Sequence, residues 1–187
     1  MTAIVLDRYR RALNEVDNIV ARVEDDRWDF MSPCPPWTAR AVLGHLIDGQ
    51  QQVAALLTGQ GPRPPHADPD ALADTAPAAA WQAAHRDIER VLAKVDPTAQ
   101  QATPMGPRSV ADILSLALIE PLVHAWDLAH ATRHTVDLDL EAVSAVLDGV
   151  RALGGQLAAT GMYAPAVPPP ADASLQDQLL AATGRQH

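Results

Sequence analysis

Prolines decide what this chain can become, because they cluster and leave long proline-poor stretches between the clusters. Pro33, Pro35 and Pro36 form the first cluster, and Pro62, Pro64, Pro65 and Pro69 the second. Pro104 and Pro107 form a third, and Pro165, Pro168, Pro169 and Pro170 the last. Proline has no backbone N–H and clashes with the preceding turn, so no helix runs through such a cluster. The stretches between are rich in Ala and Leu, which favours helix. Leu6, Tyr9, Leu13, Val16, Ile19, Val20 and Val23 recur at steps of three and four and predict a first helix over about 3–26. Thr38 is a suitable N-cap for a second helix reaching about Leu57, closed by Gly59 and Gly61. Residues 59–75 have no apolar period and form a long loop, too long for a hairpin turn.

Trp81, Ala84, Ile88, Val91, Leu92 and Val95 share one side of a third helix over about 77–95. After a connection at 100–108, Ser109 caps a fourth helix to about Ala131. A fifth covers about 139–153, stopping before Gly154, and a short last helix covers about 174–183. No segment has the period-two alternation of a strand, and there is no internal repeat and no second domain. The expected fold is all-α: one domain over 1–187, a four-helix bundle with a long crossover between its second and third helices, plus short C-terminal helices.

A chain of 187 residues buries roughly 70% of its unfolded surface, so it folds without a disulfide or metal. The formal net charge of −9 argues against nucleic acid and anionic membranes as partners. Cys34 is the only cysteine, which excludes an intramolecular disulfide and every multi-cysteine metal site within one chain. Aromatic residues make up 4%, so the core must come from Ala, Leu and Val. Asp7 and Arg8 bring charge too early for a secretory signal. No apolar run reaches the roughly 18 residues of a membrane span. A cytoplasmic protein is expected.

Three side chains stand out. Glu120 and His124 are four apart on the fourth helix, so both project from one face, otherwise apolar through Ile113, Leu116, Ala117 and Leu128. A carboxylate on such a stripe needs a cation or a strong donor. A buried Glu–His pair is one solution, and a divalent metal taking both side chains is the other. His45 lies among apolar neighbours on the second helix and is expected to face inward, as a core histidine or as a third ligand. Two ligands one turn apart and one from a facing helix leave positions open, as catalytic centres do. Two imidazoles and a carboxylate suit zinc first, and also nickel, iron or manganese. Pro121 removes a hydrogen bond to the Ala117 carbonyl and should bend the helix beside Glu120. Asp127, one turn past His124, could accept the second ring N–H of a ligating histidine or pair with an arginine. Trp37 and Trp126 are expected to serve packing, with a substrate wall as the alternative. Cys34, just before a helix N-terminus, is expected to be a small buried apolar group, with a reactive thiol as the alternative. His85, His130 and His134 are expected to lie on the surface.

Two motifs add a resemblance. Ser32-Pro33-Cys34-Pro35-Pro36-Trp37-Thr38-Ala39-Arg40 leading to Gly44-His45-Leu46, and Val123-His124-Ala125-Trp126-Asp127-Leu128-Ala129, resemble the paired motifs of a group of small bacterial proteins. The ending, Pro165 to Val167 and Leu179-Leu180 to Gly184-Arg185, resembles their tail. This is the actinobacterial branch of the DinB/YfiT-like superfamily, related to the N-terminal domain of mycothiol-dependent maleylpyruvate isomerase. The resemblance implies a four-helix bundle with a long crossover and a metal triad that falls on His45, Glu120 and His124. It also implies S-transfer or isomerisation with mycothiol or a similar small thiol as co-substrate. The expected partners are then a small-molecule thiol and an electrophile, with a homodimer as an allowed assembly. The other reading is a non-catalytic metal-binding bundle with a structural, regulatory or stress-related role.

Overall fold

A computed structural model describes residues 2–186, and Met1 and His187 lie outside the described residues. The bundle consists of α1 (Thr2–Val20), α2 (Ala39–Leu57), α4 (Pro77–Leu92) and a fourth member made of α5 (Val110–Ala117) and α6 (Ile119–Ala131). The crossover between α2 and α4 carries the one-turn helix α3 (Asp70–Ala73). Beyond the bundle lie α7 (Leu140–Leu153), the short α8 (Gln156–Ala159) and α9 (Leu175–Ala182), with α9 packed against α7. Tyr9, Leu13, Leu43, Leu46, Trp81, Ile88, Leu114, Leu122 and Leu128 are all buried between the bundle helices. The caps at Thr38 and Ser109 form as expected: Thr38 Oγ1 accepts from the Ala41 N–H, and Ser109 and Asp112 make a reciprocal capping box.

The structure departs from the sequence expectation at five places. The first helix stops at Val20 rather than near 26, because Arg22 and Val23 donate to Ile19 and Val20, three residues back, and tighten the last turn. Val23 still packs on the core. The third helix likewise ends at Leu92, where Lys94 donates to Val91. The crossover is not structureless, since α3 buries Ala73. Two short strands, β1 (Gln100–Gln101) and β2 (Arg108–Ser109), pair antiparallel, each too short to show a period. The fourth helix is interrupted at Leu118, where Pro121 lacks the N–H that would bind Ala117; Leu118 keeps helical dihedrals (φ −62°, ψ −27°), so the hydrogen-bond ladder lapses there while the chain runs on into α6. The apolar stripe is incomplete within α5 itself: Ile113 is buried but Leu116 is 51% exposed.

Gly44 fixes how the crossover meets the bundle. A Cβ at this position would lie 1.8 Å from the Pro69 carbonyl oxygen and 2.6 Å from its carbon. Only glycine lets the crossover backbone lie on α2 one residue before His45.

One buried carboxyl makes stability pH-dependent. Glu15 on α1 has a buried Oε2 with no hydrogen-bond partner among the described residues. Burial, with the charge of Asp139 adding to it, pushes the Glu15 carboxyl from 4.5 up to about 7, against a backbone hydrogen bond from Asp139 and the charge of Arg11. A raised carboxyl favours the protonated folded state, so its contribution is fully present below its unfolded pKa and lost as pH rises through about 7. Glu15→Gln is therefore expected to exceed the wild type by about 1 kcal/mol at alkaline pH, after allowance for partial exposure. Below the unfolded pKa of Glu15 the two proteins should match. Urea unfolding on either side of that window checks the sign, and an equal gain at both ends would contradict it.

Candidate metal centre

α2 and α6 bring His45, Glu120 and His124 together. Glu120 Oε2 lies 2.8 Å from His45 Nε2 and 3.3 Å from His124 Nε2. The two imidazole rings meet edge to face with centroids 4.9 Å apart. Their ligand atoms all lie within 4.8 Å of one another. Donors around a tetrahedral zinc at about 2.0–2.1 Å sit roughly 3.3 Å apart, so the spacing and the two-nitrogen, one-oxygen set fit a divalent ion. His45 is not a core histidine: its side chain is 31% exposed, and that of Glu120 is 22% exposed. His124 is buried, so of the three side chains His45 and Glu120 are the ones that meet solvent.

Asp127 fills both roles foreseen for it. Its Oδ2 accepts from His124 Nδ1 at 2.9 Å, which leaves Nε2 turned toward Glu120. Arg185 closes on the same carboxylate, Nε to Oδ1 at 3.2 Å and Nη2 to Oδ2 at 2.7 Å. Asp127 is fully buried and Arg185 nearly so. Burial opposes the charge on Asp127, but the His124 and Arg185 contacts outweigh it and hold the carboxyl below its usual range. The same contest at His124 ends with the imidazole lifted to about 9, since its bonds to Asp127 and Glu120 exceed the burial penalty. At Glu120 burial is again overcome, by both histidines, and the carboxyl stays well below the usual range.

Three further side chains adjoin the centre, and of these Tyr163 alone escapes the sequence reading. Tyr163 donates its hydroxyl to Glu120 Oε1 from the proline-rich segment. Trp37 is a wall of the centre as well as a packing residue, its ring 4.7 Å from that of His45 and 5.9 Å from that of His124. Cys34 offers a second donor group with His124 and Asp127. That group is already satisfied by the His124–Asp127 bond and by Arg185, and burial pushes the Cys34 thiol up rather than toward a thiolate. Trp126 is buried and packs against the ring of His130, which is exposed as expected. His134 is half-buried and bonded to Thr132. His85 is a correction: its side chain is 15% exposed and lies 3.5 Å from Asp17, which also accepts from Trp81 Nε1. It sits in the α1–α4 seam because Trp81, one turn earlier, is drawn wholly into the core.

Fold and centre together define a helical bundle with a two-histidine, one-carboxylate site. Residues 9–129 match the family described as the mycothiol maleylpyruvate isomerase N-terminal domain, and the chain belongs to that family. Two curated relatives are the uncharacterized protein Rv0738 of Mycobacterium tuberculosis strain H37Rv and the uncharacterized protein MT0763 of strain CDC 1551 / Oshkosh. Each is 33% identical over 182 residues, covering 95% of both chains. Among solved structures, the mycothiol-dependent maleylpyruvate isomerase superposes with a TM-score of 0.71 at 14% identity, over 100% of this chain and 90% of that one. A histidine-to-alanine mutant of that isomerase gives 0.67 at 13% identity, with the same coverage. At these identities the likeness establishes the fold, and it extends over the C-terminal segment. No helix among the described residues is long and apolar enough to cross a membrane.

Proposed function

We propose that this chain is a metal-dependent enzyme that uses a low-molecular-weight thiol, such as mycothiol, for S-transfer or isomerisation. His45, Glu120 and His124 would hold one divalent ion, zinc first. The observation that carries the reading is a single carboxylate oxygen of Glu120 within 3.3 Å of both imidazole Nε2 atoms. When bound, the ion would lower the pKa of a coordinated thiol and so supply a thiolate at neutral pH. Asp127 holds His124 in one orientation through Nδ1, and Trp37 provides an apolar face beside His45 for the organic part of a thiol or electrophile. The partial exposure of His45 and Glu120 favours this reading over a purely structural metal, which would be sealed. Membership in a family named for a mycothiol-using isomerase supports the thiol.

The test is conjugation of a monochlorobimane-type electrophile to mycothiol and other small thiols, by zinc-loaded and chelator-treated protein. A rate above the thiol blank that depends on metal and disappears in Glu120→Ala is expected. A rate equal to the blank with every thiol would contradict the reading.

A further inference from the structure

Two of the three proposed donors are braced by one stretch of chain, and that stretch lies outside the 9–129 match to the family. Tyr163 holds Glu120 Oε1, which leaves Oε2 to face the histidines. Arg185 holds Asp127, which holds His124. The two bracing residues also touch each other, with the Arg185 guanidinium 5.9 Å from the Tyr163 ring centroid. The local backbone makes this pairing. Val167 N–H donates to the Ala181 carbonyl at 2.9 Å, tying the proline-rich segment to α9. Gly184 has a φ of 83°, and a Cβ there would lie 2.5 Å from that of Ala164. Glycine at 184 thus lets the segment and the end of α9 meet beside the centre. His45, the third donor, has no such brace from this segment and is the most exposed of the three.

We propose that Tyr163 and Arg185 are positioning residues for the metal, so that metal loading and docking of the segment 160–186 are thermodynamically coupled. The inference rests on the metal reading above. Coupling is reciprocal: a docked segment raises metal affinity, and bound metal by the same factor favours the docked segment. Outer partners of metal ligands commonly contribute 10–100-fold to affinity.

Zinc affinity, measured by competition with a chromophoric chelator, should fall about 10–100-fold in Tyr163→Phe. Met162→Ala, the exposed neighbour, should bind like the wild type. Far-UV circular dichroism should show the same helix content in all three proteins. In the wild type, zinc should slow backbone hydrogen exchange across 163–185 beyond any slowing in α4, which does not reach the centre. Tyr163→Phe with wild-type affinity, or segment exchange indifferent to zinc, overturns the coupling while leaving the metal reading intact. A wild type that takes up no zinc overturns both. Should Tyr163→Phe fold poorly, the exchange experiment on the wild type decides alone.

Discussion

Asp127→Ala should lower the stability of the metal-free protein by about 3–5 kcal/mol, the usual cost of leaving one partner of a buried ion pair without the other. The carboxylate is fully buried, and it is the partner of both Arg185 and His124. Removing it strands a guanidinium that is 5% exposed, which keeps its bond to the Thr183 carbonyl but loses its counter-charge. Asp127→Asn keeps the volume and one acceptor but not the charge, so it should fall between the alanine variant and the wild type. Chemical denaturation at neutral pH measures both. A loss below about 1 kcal/mol in the alanine variant, the scale of a surface pair, would mean that the pair is solvated.

Gly44→Ala should cost about 3 kcal/mol or more, although alanine is the better helix former. The added methyl would meet backbone carbonyl atoms of Pro69, which cannot swing away as a flexible side chain would. Relief requires the crossover to lift from α2, which would expose Ala73 and disturb the helix surface next to His45. A Cβ added at Gly49, on the same helix, would meet nothing within 4 Å among the described residues. Gly49→Ala should therefore be neutral or stabilising by up to about 1 kcal/mol, as propensity alone dictates. Thermal or urea unfolding of the pair separates crowding from propensity, and equal effects of the two substitutions would refute the close approach.

What could be read in advance, and what could not, follows from the range of the interactions. Glu120 and His124 share a face because four residues make about one helical turn, and the lapse in the hydrogen-bond ladder at Leu118 follows from the missing N–H of Pro121. Both are local rules visible in any stretch of sequence. The capping residues Thr38 and Ser109 are legible for the same reason. Pairing His45 with them needed an inward-facing histidine on a second helix, and the structure supplies the meeting but places His45 at the rim rather than in the core. Tyr163 and Arg185 were not identified as neighbours of the centre. They lie 43 and 58 residues from their partners in segments without a helical period, and nothing local ties a tyrosine in a proline-rich stretch to a carboxylate on α6. The 3₁₀-type ends of α1 and α4 are invisible to apolar periodicity, because Val23 and Val95 pack on the core whether or not they are helical. His85 was misplaced because its burial comes from its neighbour Trp81 and from Asp17 on another helix.

Metal content of protein purified without a histidine tag tests the central claim most directly. Elemental analysis should find one divalent ion per chain in the wild type and close to none in Glu120→Ala, with His45→Ala and His124→Ala also depleted. A wild type without stoichiometric metal, or a Glu120→Ala protein that keeps it, would contradict a shared ion at His45, Glu120 and His124.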